Sequence, residues 1–261
     1  MTGIRFAYAE TSRGQVHYAA SGAADAPAVL LFHQCPRSWD EYREVLPLLG
    51  RTHRAIAMDI IGYGHSAAAP DHSIETYADT AVEFAGVLGL DRVTAVGHHT
   101  GALVALEAAV RAPELVSRLV LSSMPYYDAK ARSEPHTVID DVGFSADGSH
   151  LTRLWDARRP YYPADRPDLL TRFTRDALAA GDGAVAGHRA CHRYPVEERS
   201  PKVGCPVLCV GASADPFAFP SLTRAAAGFA DARVAVIEGG TIPLMEHRPG
   251  EAAKLIAEFA S

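Results

Sequence analysis

The sequence has little of what marks disulfide-stabilised, metal-binding, membrane or nucleic-acid-binding proteins. Its 261 residues include four cysteines and no C-x-x-C pair, so neither a disulfide framework nor a zinc knuckle is expected. No apolar run approaches the ~18–20 residues of a membrane helix, and residues 1–10 lack the regions of a signal peptide. The net charge is -6, without a basic block. We therefore expect a protein of a reducing, cytoplasmic setting that binds neither membranes nor nucleic acid.

What the chain does contain is an alternation of strand and helix patterns. Apolar runs of strand length, such as APAVLLFH and HRAIAMDI, are typical of central strands buried on both faces. Amphipathic stretches follow them, among them SIETYADTAVEFAGVLGL and the final GEAAKLIAEFAS. We also expect a hairpin at Arg13-Gly14 and a helix over residues 38–50 with Ser38 as its N-cap. The alternation predicts the α/β class, with a mostly parallel central sheet flanked by helices.

The middle of the chain has a different texture. Residues 126–200 lose the apolar strand runs and become rich in Arg, Asp, His, Tyr and Pro, with helical stretches such as RPDLLTRFTRDALAAG. Strand-like runs resume at CPVLCVGAS. We therefore predict one discontinuous α/β core, residues 1–125 and 201–261, interrupted by an inserted helical cap over residues 126–200.

A histidine lies where a nucleophile would be expected. Residues 97–101 read Gly-His-His-Thr-Gly, between the predicted strand DRVTAVG and the predicted helix TGALVALEAAVRAPE. The frame G-x-Nu-x-G on a strand–turn–helix places a nucleophile on a sharp turn above the sheet. The central position is His99, so the sequence predicts a nucleophile elbow that carries an imidazole.

Four motifs occur in a fixed order around this turn: LLFHQCPRSWDEY, DIIGYGHSAAAP, GHHTG, and VGASADPF followed by EGGTIPLMEHRP. In this order they resemble the α/β-hydrolase superfamily, and most closely its capped branch of epoxide hydrolases, haloacetate dehalogenases and C–C bond hydrolases. The resemblance implies an α/β-hydrolase fold. It also implies that Asp215 is the catalytic acid, and that the backbone N–H groups of Cys35 and Thr100 form an oxyanion hole.

Three positions depart from the pattern of that superfamily. His99 replaces the nucleophile, Thr241 stands where the late catalytic histidine would be, and Gln34 replaces a glycine of the oxyanion loop. Covalent epoxide hydrolase and dehalogenase chemistry of the usual kind is excluded, because both need a carboxylate nucleophile at the elbow. The paired change at 99 and 241 indicates that one imidazole has been relocated.

The catalytic set predicted from the sequence is His99, Asp215 and Thr241, without cofactor or metal. A helix N-terminus favours a neutral imidazole, which can act as a base or a nucleophile. The Thr241 hydroxyl would fix the tautomer. Three functions stay open: hydrolysis of an ester, lactone or C–C bond; lyase, isomerase or decarboxylase chemistry with His99 as base; and an inert, ligand-binding pseudoenzyme.

The expected ligand is a small, mostly apolar metabolite that contains a carbonyl group. Its pocket is predicted to include Gln34, Trp39, Trp155, His192 and Tyr194. His188 and His192 share a helix face and could form one edge of a metal site, but no third ligand is evident, so we favour a polar pocket lid. His33 and His98 are interpreted as structural. The sequence leaves the oligomeric state open, a homodimer included.

Overall fold

A computed structural model describes residues 3–141 and 143–261. Of residues 1–10, which were expected not to form a signal peptide, the first two lie outside the described ranges. Eight strands form one sheet in the order β1-β2-β4-β3-β5-β6-β7-β8. The strands are β1 (Arg5–Thr11), β2 (Gly14–Ser21), β3 (Ala28–Phe32), β4 (Arg54–Met58), β5 (Val93–His98), β6 (Val116–Ser122), β7 (Val207–Ala212) and β8 (Ala232–Ile237).

The strand directions follow from the apolar patterns. β1 and β2 are an antiparallel hairpin in which Thr11 pairs with Gly14, so the turn is Ser12-Arg13. β2 is antiparallel to β4, and every other neighbouring pair is parallel. β5 and β7 are buried along their whole length, as expected for central parallel strands covered on both faces. The predicted mostly parallel sheet is confirmed.

Helices cover both faces of the sheet. They are α1 (Leu46–Leu49), α2 (Ile74–Val87), α3 (Thr100–Arg111), α4 (Ala129–Ser133), α5 (Ser149–Arg158), α6 (Pro167–Ala180), α7 (Asp182–Arg193), α8 (Val196–Arg199), α9 (Leu222–Ala226), α10 (Leu244–His247) and α11 (Pro249–Ala260). One apolar core lies between the sheet and α2 and α3. A second core lies on the opposite face, under α1 and α11.

Helices α4 to α8 all lie between β6 and β7, and we call this segment, residues 126–202, the helical insert. It has a small apolar core of its own, which includes Leu154, Leu169 and Phe173. The described residues of the insert contain no strand, in agreement with the loss of apolar strand runs from residue 126.

The helix predicted over residues 38–50 does not form as one element. Ser38 does act as an N-cap, but it begins a short 3₁₀ turn, Trp39–Tyr42, and α1 starts only at Leu46. Pro47 lies in the first turn of α1, where a missing N–H is tolerated, and it cannot continue a preceding helix. The acidic pair Asp40 and Glu41 of this 3₁₀ turn is buried.

None of the described helices has the length and apolar character needed to cross a membrane. The four cysteines are free. Within residues 3–141 and 143–261, no group of three or more His, Cys, Asp and Glu side chains is arranged to hold a metal ion.

Candidate active site

The turn between β5 and α3 has the geometry of a nucleophile elbow. His99 has φ 46° and ψ −116°, a conformation that few residues other than glycine adopt and that costs ~1–3 kcal/mol. The flanking glycines make the turn possible: a Cβ on Gly97 would overlap the backbone of Gly101, and a Cβ on Gly101 would overlap the Phe32 carbonyl. The strand and the helix are therefore in close contact, and His99 lies between them.

The imidazole of His99 reaches the carboxylate predicted as its partner. Asp215 follows β7, two strands away from β5 in the sheet, and its Oδ2 lies 2.9 Å from Nε2 of His99. The two atoms are not aligned as a hydrogen bond, and neither forms one with another described residue. The contact is therefore a close approach of the ring nitrogen to the carboxylate oxygen. The Asp215 side chain is fully buried, whereas 14% of the His99 side chain is exposed.

Backbone groups hold Asp215 in place. Its Oδ1 accepts hydrogen bonds from the N–H groups of Phe217 and Ala218, at 3.0 and 3.2 Å. Burial raises the pKa of Asp215, but the neighbouring His99 and these two N–H donors lower it by more. The pKa therefore lies below its usual range. The carboxylate is therefore ionised, and it can orient an imidazole and stabilise the imidazolium that forms when the ring takes up a proton.

His98 has a structural role. Its ring is buried and lies edge-on to that of His99, with centroids 4.7 Å apart. Burial and the adjacent His99 lower the pKa of His98 to about 3, so the ring is neutral. Its Nδ1 lies 3.0 Å from the Ser122 hydroxyl. Its Nε2 lies 2.8 Å from the Ile242 carbonyl oxygen, which accepts a hydrogen bond from Nε2–H. His98 thus ties β5 to the loop after β8.

The loop after β3 is held by His33 and Glu41. Nδ1 of His33 donates to the Gln34 carbonyl at 2.8 Å, while its Nε2 accepts from the backbone N–H of Ile60 at 2.9 Å. Glu41 accepts hydrogen bonds from the backbone N–H of Gln34 at 2.8 Å and from its side-chain amide at 2.5 Å. Burial raises the pKa of Glu41 to about 8. The glutamine that replaces glycine in this loop therefore has a dedicated partner.

The two residues predicted to supply oxyanion donors lie on either side of the elbow. Thr100 is the first residue of α3, so its backbone N–H has no acceptor within the helix. The backbone N–H of Cys35 donates to no residue that the structure describes. α7 contacts both side chains: Sγ of Cys191 donates to Oγ1 of Thr100 at 3.1 Å, and Sγ of Cys35 lies 3.5 Å from the Ala184 carbonyl oxygen.

His99 opens into a cavity between the sheet and the helical insert. The cavity with its mouth encloses about 800 Å³. The residues that line it come from the elbow, the loops after β3, β6, β7 and β8, the connection between α4 and α5, and helices α5 and α7: Gln34, Cys35, His99, Thr100, Pro125, Tyr126, Tyr127, His136, Thr137, Val138, Ile139, Arg158, His188, Cys191, Phe217, Ala218 and Ile242. An imidazole paired with a carboxylate is thus accessible to a small molecule that also reaches Gln34 and Cys35 of the loop after β3.

The family model described as alpha/beta hydrolase fold matches residues 27–247, which is most of the chain. The chain belongs to this family. Of the known structures of this fold, the enol-lactonase from Burkholderia xenovorans LB400 superimposes with a TM-score of 0.82 at 20% identity, covering 97% of this chain and 99% of that one. Est816, an N-acyl homoserine lactone degrading enzyme, superimposes with a TM-score of 0.80 at 18% identity, covering 97% and 100%.

Curated sequences of the alpha/beta hydrolase family are similar over shorter stretches. Epoxide hydrolase 2 of Caenorhabditis elegans is 31% identical over 115 residues, which is 43% of this chain and 32% of the relative. The chain therefore aligns with about a third of that relative's length. These findings confirm the fold class and the resemblance to the superfamily.

Five predicted site residues meet at the cavity of this alpha/beta hydrolase fold: Gln34, Cys35, His99 and Thr100 line it, and Asp215 contacts His99. Thr241 is not among them, which corrects the idea that it faces His99. Its Oγ1 lies 3.0 Å from Nδ1 of His247, and the next residue, Ile242, lines the cavity instead.

The predicted pocket residues Trp39 and Trp155 lie away from the cavity lining, and this too is a correction. The Trp39 ring packs edge-on against Phe6, at 4.8 Å between centroids. On α5, Leu154 and Arg158 share the buried face because they are four residues apart, so Trp155 points to the side and packs against the core of the insert.

Tyr194 and His192 are also not part of the cavity lining. The Tyr194 hydroxyl donates to Oε2 of Glu107, on the buried side of α3, at 2.7 Å. Nε2 of His192 lies 3.0 Å from the Ala131 carbonyl oxygen, and its ring stacks on that of His136 with centroids 4.4 Å apart. His136, not His192, lines the cavity.

His188, which was predicted from the sequence to belong to a polar pocket lid, does line the cavity. Sequence reasoning missed Arg158, which also lines it, and Asp140, which contacts both residues. No regular spacing in the sequence connects the three residues, because Arg158 lies on α5, His188 on α7 and Asp140 in the connection before α5. Glu41 was also missed, since the charged stretch SWDEYREV is typical of an exposed helix.

Proposed function

We propose that this protein is a cofactor-independent hydrolase of esters or lactones in which His99, oriented by Asp215, is the catalytic base. The observation that carries the proposal is the 2.9 Å contact between Nε2 of His99 and Oδ2 of Asp215, at an elbow that opens into a cavity. When the proton of the neutral ring is on Nε2, the nitrogen next to the carboxylate, the lone pair is on Nδ1. That nitrogen would take a proton from water as the water attacks the carbonyl.

Activation of water fits this geometry better than direct attack by the imidazole. Nδ1 is bonded to Cγ, the ring atom that carries Cβ, and is therefore closer to the backbone and more crowded than Nε2. To form an acyl-imidazole it would have to approach the carbonyl carbon itself. A base needs only hydrogen-bond reach to a water molecule. The N–H groups of Cys35 and Thr100 would stabilise the tetrahedral oxyanion, each contributing ~3–4 kcal/mol by analogy with known oxyanion holes.

The test is hydrolysis of a panel of 4-nitrophenyl esters and γ- and δ-lactones. We expect His99→Ala to lower kcat/KM by ~100- to 10,000-fold, which is the usual contribution of a general base. Asp215→Asn should lower it by at least ~10-fold, because the orienting carboxylate is lost. Thr241→Val is the matched control: its hydroxyl contacts His247 and not His99, so its activity should equal that of the wild type. Full activity in His99→Ala would exclude the proposal.

One observation favours a second candidate function, that of a lyase or isomerase. The elbow carries a base instead of a hydroxyl nucleophile, and a base next to oxyanion donors is suited to removing a proton α to a carbonyl and stabilising the enolate. This candidate predicts exchange of α-protons of ketones for deuterium in D₂O, followed by NMR, with no ester or lactone turnover. A pseudoenzyme would show neither reaction and would bind ligands equally well as His99→Ala.

A further inference from the structure

The helical insert presents a second polar cluster to the cavity, separate from His99 and Asp215. Arg158 is the last residue of α5, His188 lies on α7, and Asp140 lies in the connection between α4 and α5. Arg158 and His188 line the cavity. Arg158 is 6% exposed and Asp140 is also 6% exposed, so the cluster is built into the wall of the cavity and not placed on its rim.

Both carboxylate oxygens of Asp140 contact its two partners, Arg158 and His188. Nε and Nη2 of Arg158 donate to Oδ1 and Oδ2 of Asp140 as a bidentate pair, and Nε2 of His188 lies 2.8 Å from Oδ2. Burial raises the pKa of Asp140, but the charge of Arg158 and the contact with His188 outweigh that effect and hold the pKa below its usual range. The carboxylate is ionised and fixes the direction of the guanidinium.

The cluster leaves hydrogen-bond donors for a ligand. Nη1 of Arg158 makes no hydrogen bond with any residue in the described ranges, and a guanidinium has donors only. None of the described residues that line the cavity is acidic, although the net charge of the chain is -6. Asp140 pairs with the Nε and Nη2 side of the guanidinium, and no acidic residue of the described lining competes for Nη1.

We propose that this cluster binds a carboxylate of the substrate, with Arg158 as the principal donor, while the reacting carbonyl lies at His99. The inference rests on the proposed function, and it makes the substrate more polar than the mostly apolar metabolite expected from the sequence. A monoanion is matched better than a phosphate dianion, because Asp140 already neutralises the charge of Arg158 and a ligand meets only the remaining donors of Nη1. The substrate class is therefore the monoester, or the lactone, of a dicarboxylic acid.

The experiment compares two substrates that differ in one group. Mono-4-nitrophenyl adipate carries a terminal carboxylate, and the corresponding 4-nitrophenyl adipamate carries a neutral amide of the same size. We expect the wild type to prefer the adipate by ~10- to 100-fold in kcat/KM, the range for a hydrogen bond to a charged group, and mainly through KM. A series of 4-nitrophenyl monoesters from succinate to suberate shows which chain length gives the highest kcat/KM, and so which length spans His99 and Arg158.

The decisive variant is Arg158→Gln with Asp140→Asn. Both charges are removed together, because removal of Arg158 alone would leave Asp140 as an unpaired buried anion. This variant should lose the preference for the adipate: its kcat/KM on the adipate should fall to its kcat/KM on the adipamate. The matched control is Arg132→Gln with Glu197→Gln, which removes another ion pair of the insert, at 2.6 Å, whose members do not line the cavity. It should keep the preference.

Binding measurements separate this inference from the proposed function. Calorimetry with adipamate, which carries one carboxylate, and adipamide, which carries none, needs no turnover and should show ~10-fold or tighter binding of adipamate to the wild type. Tighter binding of adipamate without ester hydrolysis supports the subsite and rejects the hydrolase. Hydrolysis of both esters at equal kcat/KM, with equal binding of adipamate and adipamide, rejects the subsite and supports the hydrolase. A retained preference in the double variant also overturns the role of Arg158.

Discussion

Gln34 and Glu41 show how one buried carboxyl can define the conformation of a functional loop. Glu41 is fully buried and accepts from both the backbone and the side-chain amide of Gln34. The Arg37 charge lowers the pKa of Glu41, but the cost of burial is larger and raises it to about 8. The native loop therefore holds a proton on Glu41 over a pH range in which an unfolded glutamate is ionised.

This shift predicts a pH dependence of stability. Between pH 4.5 and about 8 the native state binds one more proton at Glu41 than the unfolded state does. This contribution to stability is fully present below pH 4.5 and is lost as the pH rises through 8, by up to ~1.4 kcal/mol per pH unit. In Glu41→Gln the dependence should be absent. Urea unfolding at pH 5, 6, 7 and 8 measures this effect. The free energy of unfolding of the variant, relative to that of the wild type, should increase as the pH rises.

The matched control for Glu41 is Glu251→Gln, at an exposed position of α11. Its stability should run parallel to that of the wild type across the same pH range. If the Glu41→Gln curve were also parallel to the wild type, the buried carboxyl would not be the proton-binding group.

At the scale of elements, ion pairs join the helical insert to the loop after β3. The Arg37 side chain is fully buried, donates to both oxygens of Glu246 at 2.7 and 3.0 Å, and donates through Nε to Asp176 of α6 at 3.0 Å. Arg172 of α6 donates to Asp40 at 2.7 Å. Helix α6 is thus held to the segment after β3 by charge pairs removed from water.

Arg37→Met should therefore lower the free energy of unfolding by ~3–5 kcal/mol, because Glu246 and Asp176 lose a buried counter-charge. Arg175→Ala is the matched control on α6: this arginine also contacts Asp176, but 54% of its side chain is exposed, so the expected loss is ~1 kcal/mol or less. Urea unfolding measures both. Losses of similar size in the two variants would show that burial does not set the strength of this network.

The elements could be predicted from the sequence to different extents. β3, β4, β5 and β7 follow from apolar runs, and α11 from its amphipathic pattern, because these signals are local. The elbow and Asp215 follow from the order of motifs. Other features depend on contacts between segments that are distant in the sequence. These features are the position of Thr241, the burial of Asp40 and Glu41, and the cluster around Arg158. Residue type and spacing do not encode such contacts, so local reasoning could not find them.

At the scale of the whole molecule, the cavity exists only where the insert meets the sheet, so the two parts must fold together to form it. Several buried contacts cross this boundary. Besides the pairs of Arg37 and Arg172, Glu107 of α3 accepts from the Tyr194 hydroxyl at 2.7 Å and from Arg199 at 2.7 and 2.8 Å. Contacts of this kind couple the stability of the insert to that of the sheet.

We therefore predict a single cooperative unfolding transition, and the two tryptophans allow a direct test. Trp39 lies beside the sheet and Trp155 lies on α5 of the insert. Trp155→Phe leaves fluorescence that reports on the sheet side, and Trp39→Phe leaves fluorescence that reports on the insert. In urea, each fluorescence midpoint should coincide with the midpoint measured by far-ultraviolet circular dichroism on the same variant. In the Arg37→Met background the insert should unfold at lower urea concentration than the sheet. A separate, earlier transition of Trp155 with Arg37 intact would show that the insert folds independently of the sheet.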